Sequence, residues 1–353
     1  MNTLNRSTGR RLRLVAHAVR FGTNYLAGTY GGDRLLPQAP AALLVGVTSK
    51  CNLRCDFCFH ADNDIPTEAR RPKGMMPFER FAAIVDQAHG WCTHLEFALF
   101  GEPMLHPRFI DMVRLAVEAD LTVGIFSNAT LLNATRARDL VAAGPASVTV
   151  SMEGGTPEEY NRVRVGARWE NVAANLRGLV AARREAGRRA PFIIVRGIEL
   201  EGQAGQRQAH AALYHEMGVD QVMWVPATNW SGSLRAPQES VRVPPPPPHT
   251  QPCRFPRLQL GIDWDGTVVP CCVDFNAKNN LGNVDVTPLR EIWAGKTLTA
   301  LRAALATRDH GHIAATTGCA GCSHLAQPAL PPDKRLQAVR MALGQFQARL
   351  ADG

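Results

Sequence analysis

Three cysteines fall within eight residues, Cys51-Asn52-Leu53-Arg54-Cys55-Asp56-Phe57-Cys58, at the spacing C-x3-C-x2-C. Thiolates this close together can hold three corners of one small iron–sulfur cluster. A four-iron cubane held at three corners keeps one iron open, and an exogenous molecule can bind there through its own nitrogen and oxygen atoms. A structural zinc site is the competing chemistry. Zinc asks for four tetrahedral ligands, usually from paired C-x2-C or histidine spacings, and His60 is the nearby candidate for a fourth. Disulfides need an oxidising compartment, and Met1-Asn2-Thr3-Leu4-Asn5-Arg6 leads into no long apolar run or cleavage signal. The expectation is a cytoplasmic protein with reduced thiols.

Five further cysteines, Cys253, Cys271, Cys272, Cys319 and Cys322, make a second group, and Cys92 stands alone as a small core hydrophobe. The 353 residues, 45% hydrophobic, suffice for one large core and a smaller appendage. A formal net charge of +8 is compatible with an acidic partner such as a nucleotide, a phosphate, a membrane surface or nucleic acid. Arginine-rich composition alone accounts for much of it. A zinc-stabilised nucleic-acid-binding module is the non-enzymatic alternative, but aromatics are 7% and form no stripe among the basic residues. No nucleic-acid partner is therefore expected. No run approaches the roughly eighteen apolar residues of a membrane span.

The elements that must position the thiols follow from periodicity. Residues 9–27 read as an amphipathic helix with Leu12, Val15, Ala16 and Val19 on one face, which packs on the body or touches an anionic membrane surface peripherally. With the Gly- and Pro-punctuated stretch that follows, it makes an N-terminal unit over 1–40. From 41 to 234, strand-like runs (Leu43–Val47, His94–Leu99, Leu121–Phe126, Ser147–Val150, Phe192–Ile198, Gln221–Val225) alternate with helical stretches at 78–89, 107–119, 133–142, 168–186 and 206–217. That order predicts parallel strands with right-handed helical crossovers. The chemistry of such a barrel belongs at the carboxyl ends of its strands. A connector with five consecutive prolines, 235–252, separates a C-terminal unit over 253–328. In that unit Asp263-Trp264-Asp265-Gly266 signals a hairpin, and a final helix is expected over 329–353, centred on Lys334–Leu350. The spacing C-x17-C followed by C-x2-C can close four thiolates around one more cluster.

The first cysteine loop, with aromatic Phe57 before its third thiol, resembles the signature of the radical S-adenosylmethionine (SAM) superfamily. The resemblance covers the whole strand–helix region and implies an α/β fold, a partial (β/α)6 barrel, with SAM on a [4Fe–4S] cluster held by Cys51, Cys55 and Cys58. Phe100-Gly101-Glu102-Pro103 is similar to the family's GGEP turn, with Phe100 in place of the first glycine. The resemblance gives the SAM ammonium to that turn, through Glu102 and the backbone around Gly101 and Pro103. Ser127-Asn128 stands where the family has Ser/Thr-Asn-Gly along the ribose, with Ala129 in place of the glycine. Ser151-Met152-Glu153-Gly154 and Tyr160-Asn161-Arg162-Val163-Arg164-Val165-Gly166 resemble two further SAM segments, which assign Ser151 and Arg164 to the SAM carboxylate or ribose and leave Arg162 as the rival arginine.

The C-terminal unit resembles the SPASM/twitch extension through Ile262 to Cys271, Leu281-Gly282-Asn283-Val284 and Leu289-Arg290-Glu291-Ile292-Trp293. This small α+β unit implies one auxiliary [4Fe–4S] cluster on Cys253, Cys271, Cys319 and Cys322, hence two clusters in all, with Cys272 left over. The activity so implied is that of an oxidoreductase. A 5′-deoxyadenosyl radical takes hydrogen from a small polyhydroxylated substrate, a sugar, aminocyclitol or glycoside, and the auxiliary cluster accepts the electron, fed by a donor such as flavodoxin or ferredoxin. The alternatives are an epimerase with Cys272 as hydrogen donor and a peptide-modifying enzyme. His60, His106, Glu199, Trp224, Asn229, Trp230 and Asp274 lie near strand ends or the second cysteines and are candidates for the cavity wall.

Overall fold

The computed structural model describes residues 3–30, 37–60, 71–200, 202, 204–230, 253–325, 344–348 and 351–352. Six parallel strands, β1 (Ala42–Val45), β2 (His94–Phe97), β3 (Thr122–Ser127), β4 (Ser147–Ser151), β5 (Phe192–Ile198) and β6 (Gln221–Val225), pair in chain order. Helix α1 (Thr3–Tyr30) precedes them. Helices α2 (Phe78–Ala88), α3 (Phe109–Glu118), α4 (Ala134–Ala143), α5 (Pro157–Val163), α6 (Trp169–Glu185) and α7 (Arg207–Glu216) run between the strands.

Side chains alternate across a strand, and one face of this sheet is almost uniformly apolar. Leu43, Val45, Leu95, Phe97, Val123, Ile125, Val148, Val150, Ile193 and Val195 are nearly inaccessible there and join Phe81, Ile84, Met112, Leu140, Leu176 and Leu179 of the helices. At about 1.5–3 kcal/mol for each large apolar side chain buried, this layer fixes the register. The opposite face lines the lumen of the barrel, with Leu44, Glu96, Gly124, Phe126, Thr149, Ser151, Ile194 and Arg196. The helix ends are written locally. Asn133 caps α4 by accepting from Arg136 N, and Gly144 closes it at φ +82.

The C-terminal unit begins with α8 (Phe255–Leu258) and the strands β7 (Gln259–Ile262), β8 (Thr267–Val269) and β9 (Gly282–Asn283). Helices α9 (Leu289–Ala294), α10 (Lys296–Ala306) and α11 (His310–Thr316) follow. Its hairpin joins the barrel sheet. β7 pairs parallel with β1 over Leu43↔Leu260 to Val45↔Ile262, and the nine strands run β6-β5-β4-β3-β2-β1-β7-β8-β9. Arg71 clamps the junction through Asp263 at 2.7 Å and Asp265 at 2.6 Å, and Arg80 adds Asp285 at 2.6 Å. The sheet curls, because residues just after β6 touch the loop after α11: Asn229 Nδ2 donates to Gly321 O at 2.6 Å.

Several boundaries differ from the periodicity reading, most of them by one or two residues. β1 and β2 stop two residues early, at Val45 and Phe97. In the second case Ala98 N turns back to Glu96 O and Leu99 takes φ +117. The first helix runs to Tyr30; Arg20 donates to Gly90 O and Phe21 packs on His94, while Val15, Val19 and Leu26 are exposed. No helix among the described residues is long and apolar enough to cross a membrane. The 235–252 connector lies outside the described residues, as do 334–343 of the final helix. Residues 344–348 are helical, and Asp352 accepts from Arg189 N and Ala190 N ahead of β5.

Candidate active site

The loop carrying Cys51, Cys55 and Cys58 leaves the end of β1 at the mouth of the barrel. Its backbone is tied to the segment after α5: Arg54 N donates to Val165 O at 2.9 Å and Asp56 N to Val163 O at 3.2 Å. Leu53, Cys55 and Phe57 pack with Val163, Leu200 and Ala227. All nine cysteines are free. Burial first, then Glu102 and Cys55, push the Cys51 thiol up to about 11; burial first and the neighbouring thiols raise Cys58 further. Thiols that suppress one another's ionisation become stable thiolates when a cation sits among them. The donor set therefore fits an iron–sulfur cluster.

The turn after β2 is pressed against this loop. Glu102 N donates to Lys50 O at 2.9 Å, and a Cβ on Gly101 would lie 2.1 Å from Thr48 O and 2.9 Å from Lys50 O. Glycine is required there for backbone to approach backbone. Gly101→Ala is expected to cost about 1–3 kcal/mol of stability, the usual penalty of overpacking. It should also weaken SAM binding, both read by denaturation and by titration of the iron-loaded protein.

Pro103 opens a single 3-10 turn capped by Glu102, which joins two other expected site residues in one hydrogen-bonded unit. Its Oε1 accepts from Ser127 Oγ at 2.8 Å and Met104 N at 3.2 Å, and its Oε2 from Asn128 N at 2.8 Å. A carboxylate has about four acceptor sites, so three internal donors leave little for an ammonium beyond one lone pair and the nearby carbonyls. Burial pushes this carboxyl up, and the same donors pull it back. Asn128 Nδ2 donates to Asn52 Oδ1 at 3.0 Å, tying the turn after β3 to the cysteine loop. Ala129 stands at φ +55, which explains the glycine of the family pattern. Asn175 holds it by donating to Ala129 O at 2.8 Å.

Arg164 is committed to a partner within the chain. Its Nε and Nη2 donate to Glu153 Oε2 and Oε1 at 2.5 and 2.6 Å, and its Nη1 points to Cys55 Sγ at 3.6 Å. Burial would lower its pKa, but Glu153 and Cys55 hold the guanidinium well above its ordinary value. The bidentate pair, with its guanidinium 5.1 Å from the Phe57 ring centre, braces the cysteine loop from below. Glu153 is thus a carboxylate partner of Arg164 within the chain, and Arg162 is exposed. Ser151 is half-buried at the end of β4, on the lumen side.

Five thiols meet in the C-terminal unit. Cys253 precedes α8, Cys271 and Cys272 follow β8, and Cys319 and Cys322 close a turn in which Cys322 N donates to Cys319 O. Burial first, then Cys322, Cys319 and Cys272, drive Cys253 to about 12; burial and its neighbours also raise Cys271. The donor chemistry again fits a cluster. Cys272 differs from its fellows because it also feels Arg196 of β5 and the Gln259 side chain.

That contact marks a site absent from the sequence reading. Glu96 of β2 and Arg196 of β5 lie on the same lumen-facing side of the sheet, within electrostatic reach of one another but not joined as an ion pair. Gly124, directly across from Glu96 on β3, leaves the room its carboxylate fills; a Cβ there would be 2.1 Å from Oε2. Arg196 lies 5.6 Å from the Phe126 ring centre. The Arg196 residue remains exposed to solvent. Burial pushes the Glu96 carboxyl up to about 7, and Arg196 only partly offsets it. The missed signal was a charge inside an otherwise apolar parallel strand, where both faces are normally buried.

The remaining cavity candidates divide. Glu199 and Trp224 line a small cavity of about 10 Å³ with Ile198, Leu200, Arg207 and His210. His106 belongs to the turn, with Nε2 2.9 Å from Met76 O. Asp274 folds the loop after Cys272 by accepting from Lys278 N and Asn279 N. His60 packs at a tilt against Phe59, with ring centres 4.3 Å apart. Asn229 and Trp230 bond to the cysteine loops themselves.

A curled parallel sheet with a three-thiol loop at its mouth and a second thiol set packed beside it defines an iron–sulfur enzyme scaffold. The sequence matches the Radical SAM superfamily over residues 45–194 and an Iron-sulfur cluster-binding domain, SPASM, over 253–323, and the chain belongs to the radical SAM superfamily. Its cofactors are SAM and [4Fe–4S] clusters. It is 27% identical over 302 residues to the tungsten-containing aldehyde ferredoxin oxidoreductase cofactor-modifying protein of Pyrococcus furiosus, across 74% of this chain and 82% of that one. The fold is similar to BtrN in complex with AdoMet and 2-DOIA, with TM-score 0.53 and 20% identity over 80% of this chain and 92% of BtrN. It is also similar to Streptococcus suis SuiB bound to precursor peptide SuiA, with TM-score 0.62 and 14% identity over 76% and 68% of the two chains.

Proposed function

We propose that this enzyme oxidises a small polyhydroxylated molecule, a sugar, an aminocyclitol or a glycoside, inside the barrel. The observation that carries the reading is the placement of a carboxylate, Glu96, and a guanidinium, Arg196, on the same lumen-facing side of the sheet. When bound, SAM and its cluster on Cys51, Cys55 and Cys58 supply a 5′-deoxyadenosyl radical that takes hydrogen from a C–H bond, and an auxiliary cluster on Cys253, Cys271, Cys319 and Cys322 supplies a one-electron acceptor. What the chain must add is orientation and a base. Arg196 holds the substrate's hydroxyl oxygens by donating to them. A carboxylate oxygen of Glu96 takes the hydroxyl proton, and a carboxyl with a pKa of about 7 is matched to that task near neutral pH. The substrate thus gives up a hydrogen atom, a proton and an electron, and leaves as a carbonyl compound. Glu102, Ser127, Asn128 and Ser151 shape the SAM side of the chamber, and an electron donor such as flavodoxin or ferredoxin serves the first cluster.

BtrN, similar in fold, forms a complex with AdoMet and 2-DOIA, which supports this choice. Two rivals rest on specific observations. Cys272 lies within electrostatic reach of Arg196 on the lumen side, which suits a hydrogen donor for epimerisation, and SuiB holds a precursor peptide. One assay separates them. Anaerobically reconstituted enzyme is given SAM, dithionite and a panel of aminocyclitols and glycosides in heavy water. The expected product is lighter by two hydrogens, with 5′-deoxyadenosine formed alongside. A product of unchanged mass except for one deuterium, lost in Cys272→Ala, establishes the epimerase instead, and turnover confined to peptides defeats both.

A further inference from the structure

Both cysteine loops are bonded to one three-residue segment just beyond β6. Asn229 grips the auxiliary loop on either side of Cys322: its Nδ2 donates to Gly321 O at 2.6 Å, and its Oδ1 accepts from Ser323 N at 2.9 Å. Its backbone N–H donates to Ser323 Oγ at 3.2 Å, and the Thr228 hydroxyl lies 3.3 Å from that same oxygen. The next residue reaches the other way. Trp230 Nε1 donates to Phe57 O at 2.9 Å, the carbonyl immediately before Cys58.

The segment is held rather than draped. Ala227 is buried with Leu53, Cys55 and Phe57, and Ser323 is fully buried. Trp230 adopts φ +49, a conformation a bulky residue enters only when its surroundings impose it. Its ring meets Phe59 edge-on at 4.7 Å, and Phe59 stacks on Phe275 at 4.4 Å. Phe59 follows Cys58 and Phe275 follows Cys272 by three residues, so a second, aromatic link runs parallel to the first.

We propose that Thr228-Asn229-Trp230 is a positioning strap that couples the two cluster loops, so that a change at one cysteine set is felt at the other. The proposal needs both thiol sets to load, and it is independent of the substrate proposed above. A displacement of the Cys319–Cys322 turn moves Asn229. The adjoining Trp230 then shifts the peptide between Phe57 and Cys58.

The test reads each cluster when the other's loop is altered, in full-length protein reconstituted anaerobically. Asn229→Ala, whose lost side-chain bonds are to the auxiliary loop, is expected to weaken SAM binding at least about fivefold, the lower end of ordinary site-to-site coupling. SAM binding is followed by the change SAM causes in the EPR spectrum of the reduced first cluster. Trp230→Phe keeps the ring packing and loses the donor to Phe57 O. It is expected to move the midpoint potential of the auxiliary cluster beyond titration error. If each variant alters only the cluster whose loop it bonds, the strap is local packing and the proposal is overturned. Should Asn229→Ala lose its auxiliary iron, Ser323→Ala, which removes one acceptor, replaces it under the same criterion: weakened SAM binding supports coupling, and unchanged SAM binding overturns it.

Discussion

Arg164→Met is expected to cost about 3–5 kcal/mol of stability, the usual consequence of stranding one member of a buried ion pair, and to abolish SAM cleavage. The stranded member is Glu153, which is fully inaccessible and would keep only Ile198 N, at 3.4 Å, among the donors described here. The same change removes the donor facing Cys55 and the brace beneath Phe57. Urea denaturation of the iron-loaded protein measures the first effect, and iron content with 5′-deoxyadenosine formation measures the second. Removing both charges in Glu153→Gln/Arg164→Met should recover much of the stability without restoring chemistry, since no uncompensated charge then remains. A single variant within about 1 kcal/mol of the parent, an ordinary surface effect, would show that the pair is dispensable.

Glu96→Gln is expected to lower substrate turnover by about 10²–10⁴-fold, the typical contribution of a positioned base. The amide preserves shape and cannot accept the proton. In the parent enzyme the ionised form is the active one, so turnover should rise with pH through about 7 and level off above it. The variant should lack that limb. Stability carries the opposite sign. The folded carboxyl holds its proton more tightly than an exposed one at 4.5, so the folded state binds more protons between those values. Stability therefore falls as pH rises from about 4.5 to about 7, and this slope should flatten in Glu96→Gln. An unchanged pH–rate profile in the variant would remove Glu96 from the base's role.

The alternating pattern exposed most of the barrel because parallel strands covered on both faces read as apolar runs. The residues that follow the runs sit at the carboxyl ends of the strands for the same reason. Partners were less legible. Arg164 could be placed at the site from its motif, but Glu153 as its mate requires α5, a helix the periodicity reading left out. Its signature was present as Thr156-Pro157-Glu158-Glu159, a capping box whose reciprocal bonds both form. Seven residues are too few for a periodic stripe. Glu96 and Arg196 lie about a hundred positions apart in the chain, and their place on one lumen-facing side becomes visible only once the sheet is formed. Phe100, standing in for a glycine, is explained by its burial against Phe59.

The pairing of β7 with β1 makes the second cysteine unit part of the first one's skeleton. A polypeptide ended before Cys253 would leave the β7-facing edge of Ala42–Val45 with its amides and carbonyls unmatched, directly ahead of the first cysteine loop. Bare rims of this kind recruit other chains. The two halves are thus one heritable module: neither can be exchanged for a foreign counterpart unless the graft also supplies a strand in register.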